Sequence, residues 1–338
     1  MPSRRALMKA GLLSAALAPN AAFAQPATAS RKPYSGPHEM PRGLTLLAIR
    51  GADGRETLGV KTDAGILDVA ATAQALNMQA PLTLHQMLNE GSAPELTALV
   101  KAAAASHAKV THLDESRITF GRLFTNPGKI VCVGLNYKEH VEESGEKLPK
   151  EPILFNKYDN TLAAHGCTIK LPPREISTKF DYETELLIVM GKAARNVSEA
   201  DALSYVAGYA VSNDFSARDL QLEKGGQWMI GKTLDDFAPI GPYFVSADLV
   251  DPNNLNLETR VNGEVRQSSN TSKFIFNPQK VIAYTSRLFS LAPGDIIFTG
   301  TPSGVIVGMP PEKQVWLKAG DKIESTIEKL GTLRFDLA

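Results

Sequence analysis

The stretch FDYETELLIVMG, residues 180 to 191, places Glu183 and Glu185 two positions apart at the head of an apolar run. In a strand, residues i and i+2 share a face about 7 Å apart, so both carboxylates point the same way. Like charges at that range repel, and partial burial makes ionisation costlier still. Three arrangements relieve the repulsion: a raised pKa on one acid, a divalent cation held by both, or exposure of the strand end to water. Asp214 closes the strand-like GYAVSND and offers a third carboxylate from a neighbouring strand end. Its other employment is to cap a helix starting near Ala217. Three carboxylates with no cysteine or histidine nearby in sequence describe a hard oxygen site, suited to Mg2+ or Mn2+ rather than zinc.

Of six histidines, only His140 has informative company. In GLNYKEHVEESG it precedes Glu143 by three residues, and a helix would put both on one face. A carboxylate bonded to imidazole fixes its tautomer and raises its basicity, as a general base requires; the same spacing also makes an ordinary surface pair. Lys232, in WMIGKTLDDFAPIGP, either stabilises an oxyanion or pairs with Asp235 or Asp236. Arg218 and Gln221 in SARDLQ are weaker candidates of the same kind. The glycines of GTPSGV, residues 300 to 305, suggest a tight loop close to a ligand; the lysine of a phosphate-binding loop is missing there.

The elements that must hold these groups are mostly strands. LTLLAIR, ETLGVKT and GILDV suggest a small meander, and TLHQMLNEG and APELTALVKAAAASHA carry apolar residues at helical spacing. Together they predict a small N-terminal α+β unit over residues 43–115. A larger unit over 127–338 opens with the buried-strand pattern KIVCVGL and continues through ILFNKY, YETELLIVMG, a helix expected from Ser198, and GYAVSNDF. Asn262-Gly263 between alternating flanks marks a hairpin, and Pro278 opens a helix through Leu288. Strands outnumber helices without alternating with them, which predicts a β-rich α+β fold and argues against a doubly wound sheet.

The chain has 338 residues, 43% of them hydrophobic, enough for a sizeable core. Basic and acidic residues number 36 each, so nothing resembles the basic stripe of a nucleic-acid binder. Residues 1–24 begin with Ser3-Arg4-Arg5, continue through an apolar stretch too short for the ~20 residues of a membrane span, and end at Ala22-Phe23-Ala24. They resemble a twin-arginine export signal, which predicts a periplasmic, mildly acidic mature chain. Residues 25–42 are polar and proline-rich and predict a flexible leader. Cys132 and Cys167 are too few for a disulfide framework, and Cys132 is expected in the core.

GLNYKEHVEE, DYETELLIV, GYAVSNDFSARDLQ, GKTLDDFAPIGP, IIFTGTPSGV and LKAGDKIESTIEKLGTL follow one another from about Pro127 to Leu337. In that order they resemble the fumarylacetoacetate hydrolase family. The resemblance implies a mixed β-sheet roll around the site, with the small N-terminal unit that many members carry. It implies a Mg2+ or Mn2+ site from Glu183, Glu185 and Asp214, and a His140–Glu143 base dyad on a mobile lid. Lys232 would reach the substrate, with Asn136, Tyr137, Arg218, Gln221 and Thr301 lining it. Members act on small 2-oxo acids and are commonly homodimers. Position 136 is Asn where fumarylacetoacetate hydrolase itself carries an acid, which is similar to the acylpyruvate hydrolase and homoprotocatechuate-pathway isomerase branch. The expected activity is metal-dependent hydrolysis of a C–C bond in an acylpyruvate-type acid. The alternatives are an isomerase, a decarboxylase, a ureidoglycolate-type lyase, or an exported metal-dependent binder without turnover.

Overall fold

The alternation of apolar side chains along the strands decides how the core is divided. The computed structural model describes residues 38–106, 110 and 112–338. The export-signal stretch 1–24 and leader residues 25–37 lie outside the described residues. Strands β1 (Thr45–Arg50), β2 (Glu56–Thr62) and β3 (Gly65–Asp68) form the expected meander. Helices α1 (Val69–Leu76), α2 (Leu84–Glu90) and α3 (Ala93–Ala105) follow, then β4 (His112–Leu113). The expected strand GILDV stops at Asp68, because that side chain accepts a hydrogen bond from Ala71 N–H and caps an alanine-rich α1.

The larger part contributes β5 (Ile130–Gly134), α4 (Lys138–Glu143), β6 (Ile153–Asn156), β7 (Leu162–Ala164), β8 (Cys167–Ile169) and β9 (Phe180–Asp181). Next come β10 (Thr184–Met190), β11 (Val206–Asn213), β12 (Ser216–Ala217), α5 (Arg218–Glu223) and β13 (Ala238–Ser246). The chain ends with β14 (Asn256–Val261), β15 (Glu264–Asn270), α6 (Pro278–Leu288), β16 (Ile296–Phe298), β17 (Lys322–Ile327) and β18 (Gly331–Leu337). One sheet runs β4-β3-β2-β1-β13-β11-β10-β16-β5-β6, with β7 parallel to β13 off that path. A second runs β15-β14-β17-β18-β8. The fold is β-rich α+β with mixed sheets, as expected.

β10 is buried along its whole length. Leu186, Ile188 and Met190 enter one hydrophobic cluster with the second sheet, while Leu187 and Val189 enter another with the N-terminal helices. Period-two alternation therefore serves two cores from one strand, which fixes the register at its head, where Glu183 and Glu185 sit.

The N-terminal meander continues into the large sheet: β1 pairs with β13 through Thr45↔Val245 and Leu46↔Phe244. Two expectations are corrected. The leader's last residues are docked rather than loose, with Pro41 buried and His38 Nε2 2.9 Å from Gly191 O. No helix starts at Ser198; its hydroxyl accepts from Asp201 N–H and donates to Asp201, closing a local turn before a short 3-10 turn at Ala202–Tyr205. By contrast, the Asn262-Gly263 hairpin forms with both residues at positive φ, and α6 starts at Pro278 under an Asn277 cap. Among the described residues, no helix is long and apolar enough to cross a membrane. Both cysteines are free, and Cys132 is buried.

Candidate active site

Glu183, Glu185 and Asp214 are brought together by strand pairing. β10 and β11 are antiparallel with Thr184 opposite Asn213. One step further, Asp214 N–H donates to Glu183 O at 2.9 Å. The three carboxylates offer oxygens within 4.8 Å of one another, and all three residues are buried. Asp214 caps no helix: α5 begins at Arg218 with Ala217 at its cap position and no side-chain cap bond.

The cluster is tied to buried cations. Lys232 Nζ donates to Glu183 Oε2 at 2.7 Å and to Asp214 Oδ2 at 2.8 Å, so neither Asp235 nor Asp236 is its partner. Arg218 donates to Glu183 Oε1, Asp181 Oδ2 and Gln221 Oε1 at 2.7 to 2.8 Å. Lys157 Nζ donates to Asp214 Oδ1 at 2.6 Å. Four buried acids thus face three buried cations, and the acid without a cation is Glu185. Among the described residues its carboxylate accepts one hydrogen bond, from Gly300 N–H at 2.7 Å. Burial first, then the charges of Asp214 and Glu183, push the Glu185 carboxyl well above the usual carboxylate range. Burial also opposes ionisation of Glu183, but Lys232 and Arg218 outweigh it and hold that carboxyl low. An uncompensated acid among converging oxygens is the donor set a hard divalent cation fits.

His140 sits on α4 as expected, with Nδ1 2.8 Å from Glu143 Oε1. A carboxylate partner assigns the proton to Nδ1 and leaves Nε2 as the basic nitrogen. A cavity of about 130 Å3 is lined by His140, Glu183, Glu185, Arg218, Gln221, Lys232 and Thr301, with Phe155, Leu222, Trp228 and Val307 among its apolar walls. Glu143 stands behind His140. Asp214, fully buried, stands behind Glu183 and Lys232.

Two expected substrate contacts are elsewhere. The Asn136 amide donates to Phe276 O and Thr299 O and accepts from Phe276 N–H, so it ties loops together and does not line the cavity. Tyr137 is buried with its ring 4.7 Å from Phe274 and also does not line the cavity. Asn136→Ala orphans three buried backbone groups and should cost about 2–4 kcal/mol in denaturant melts, with KM unchanged. A raised KM at unchanged stability would return Asn136 to the substrate.

Sequence reasoning missed Asp181 and Lys157. Asp181 accepts from Ile306 N–H and Val307 N–H as well as from Arg218. A lone lysine inside the strand-like ILFNKY was the available signal for Lys157, because lysine is almost never fully buried without a partner. Gly300 is needed twice over: its φ is +94°, and a Cβ there would meet Asn136 Cβ at 2.7 Å.

Residues 129–338 match the family model for the fumarylacetoacetate (FAA) hydrolase C-terminal domain. The chain is 54% identical over 217 residues to a fumarylacetoacetate hydrolase domain-containing protein 2 homolog of Dictyostelium discoideum, covering 61% of this chain and 70% of that one. It is 41% identical over 270 residues to the mitochondrial oxaloacetate tautomerase Fahd2a of Rattus norvegicus, covering 80% and 82%. Among solved structures, a putative HpcE protein from Mycobacterium smegmatis matches at TM-score 0.73 and 32% identity, over 87% of this chain and 99% of that one. A fumarylpyruvate hydrolase from Pseudomonas aeruginosa, in complex with Mn2+ and pyruvate, matches at TM-score 0.56 and 32% identity, over 62% and 89%. With the β-rich fold and the carboxylate cluster already described, these matches place the chain in the fumarylacetoacetate hydrolase family.

Proposed function

We propose that this protein interconverts the enol and keto forms of a short 2-oxo dicarboxylic acid, with oxaloacetate as the first substrate to test. The observation that carries the reading is a base of fixed tautomer, His140, lining the same small cavity as the carboxylate cluster and Lys232. Tautomerisation needs a base at carbon and a stabiliser for developing negative charge on oxygen, and this cavity is lined by both. Similarity to an oxaloacetate tautomerase over four-fifths of the chain supports the same chemistry.

Glu183, Glu185 and Asp214 would hold Mg2+ or Mn2+, which when bound supplies Lewis-acid stabilisation of an enolate. With all four acids ionised, a divalent ion would turn the site's one excess negative charge into one excess positive charge, which favours an anionic substrate. His140 Nε2 takes the proton from C3 of the keto form, and the C–H electron pair becomes the C2=C3 bond. The carbonyl pair moves onto the C2 oxygen, which takes the proton back from His140 Nε2–H to give the enol, so that the base is regenerated and no atom is gained or lost. Lys232 has two of its three N–H donors committed to Glu183 and Asp214, which leaves one for that oxygen. Arg218 and Gln221 line the cavity to receive a substrate carboxylate.

Hydrolysis of an acylpyruvate, the expectation drawn from sequence, is the second reading. Likeness to the fumarylpyruvate hydrolase supports it. It asks for one more part, a water held between His140 and the scissile carbonyl. Decay of enol-oxaloacetate, followed by ultraviolet absorbance with Mg2+ present, should accelerate with the protein and lose that acceleration in His140→Ala. Pyruvate release from acetylpyruvate without any effect on the enol would transfer the assignment to hydrolysis.

A homodimer and export belong to the same reading. The first is supported by family resemblance and by β6 as the sheet's outer strand, with Ile153 exposed on it and Tyr158 exposed just beyond it. The second is supported by Arg4-Arg5 and the apolar stretch after them. Sedimentation and sequencing of the mature N-terminus check both; a monomer, or an intact Met1 in the cytoplasm, would reject the respective expectation.

A further inference from the structure

Glu143 is gripped on two sides. Oε1 meets His140 Nδ1 at 2.8 Å, and Oε2 accepts from Gly304 N–H at 2.9 Å. Its carboxyl end lies directly over Gly308. A Cβ at position 308 would stand 2.5 Å from Glu143 Cδ, 2.6 Å from Cγ and 2.8 Å from Oε1. Gly308 is not among the positive-φ residues, so what the position supplies is empty space rather than an unusual backbone. The backbone there is also fixed. Ile306 N–H and Val307 N–H donate to Asp181, and Gln314 Nε2 donates to Val307 O at 3.1 Å. Any side chain at 308 must therefore displace Glu143 rather than the turn.

We infer that Gly308 is a positioning residue for the base: its missing side chain is the seat on which Glu143 docks and holds the His140 tautomer. The inference rests on the reading of His140 as the general base. It extends that reading to the Gly300–Gly308 loop, which donates backbone N–H groups to Glu185, Glu143 and Asp181.

Gly308→Ala should lower kcat about 10- to 100-fold, the scale of a ~1 Å misplacement of a catalytic group, with KM and melting temperature unchanged. In a Glu143→Ala background the same substitution should change nothing further, because the group it displaces is gone. A single variant that melts early but regains stability when Glu143→Ala is added also supports the seat. A substrate-free readout separates this inference from the tautomerase reading: 15N-histidine NMR should show His140 losing its Nδ1–H tautomer preference in Gly308→Ala. Equal losses of kcat in both backgrounds, early melting in both, or an unchanged His140 signal would overturn the proposal.

Discussion

His140→Ala should lose about 100- to 10,000-fold in kcat, the range that one positioned general base supplies, while Mn2+ affinity stays within about twofold. The two effects separate because His140 touches Glu143 and the cavity, whereas the carboxylate oxygens are bonded to Lys232, Arg218, Lys157 and Gly300. Glu143→Gln should fall between wild type and His140→Ala: the amide can still reach the ring but carries no charge to support the imidazolium formed in the reaction. Stopped-flow measurement of enol decay and calorimetric Mn2+ titration test the pair of claims. Parallel loss of metal binding in His140→Ala would show that the histidine serves the carboxylate cluster instead.

Glu185→Gln should weaken Mn2+ binding by at least about 100-fold, since even groups behind the ligands typically cost 10- to 100-fold. The same change should raise the melting temperature of the metal-free protein by about 2 °C or more. Both follow from one fact. Burial and the charges of Asp214 and Glu183 push the Glu185 carboxyl up, so the metal-free fold favours its protonated form. A carboxyl raised in the folded state contributes stability that is whole below its unfolded pKa and fades as pH rises through the folded value. Glutamine keeps the neutral shape at every pH and escapes that loss. A cation needs the ionised form, so binding must release a proton and tighten as pH rises. Titrations in buffers of different ionisation enthalpy count that proton. A Glu185→Gln protein that binds Mn2+ normally, or melts lower without it, would contradict the charge balance described here.

Much of the site was readable from short spacings. Glu183 and Glu185 at i and i+2, and His140 and Glu143 at i and i+3, are local patterns that a strand and a helix convert directly into shared faces. The hairpin at Asn262-Gly263 and the start of α6 at Pro278 are local in the same sense. What stayed hidden depends on pairing between distant parts. Nothing near Lys232 in sequence points to Glu183 and Asp214, because Asp235 and Asp236 are closer along the chain and equally charged. Asn136 looked like a site residue for its place in GLNY, yet its amide serves Phe276 and Thr299, more than one hundred residues away. The pairing of β1 with β13 spans two hundred residues, so the meander's membership of the large sheet has no local signature. Glu185's lack of a cation likewise appears only when every buried charge around it is in place.

Glu183, Glu185 and Asp214 should jointly cage one hard cation beside His140. Diffraction from a crystal soaked in Mn2+, recorded at the manganese absorption edge, tests it most directly. The expected result is a single anomalous peak within bonding distance of all three carboxylates, lost in Glu185→Gln. A peak held by other residues, or none at the cluster with Lys232 still bridging Glu183 and Asp214, would contradict it.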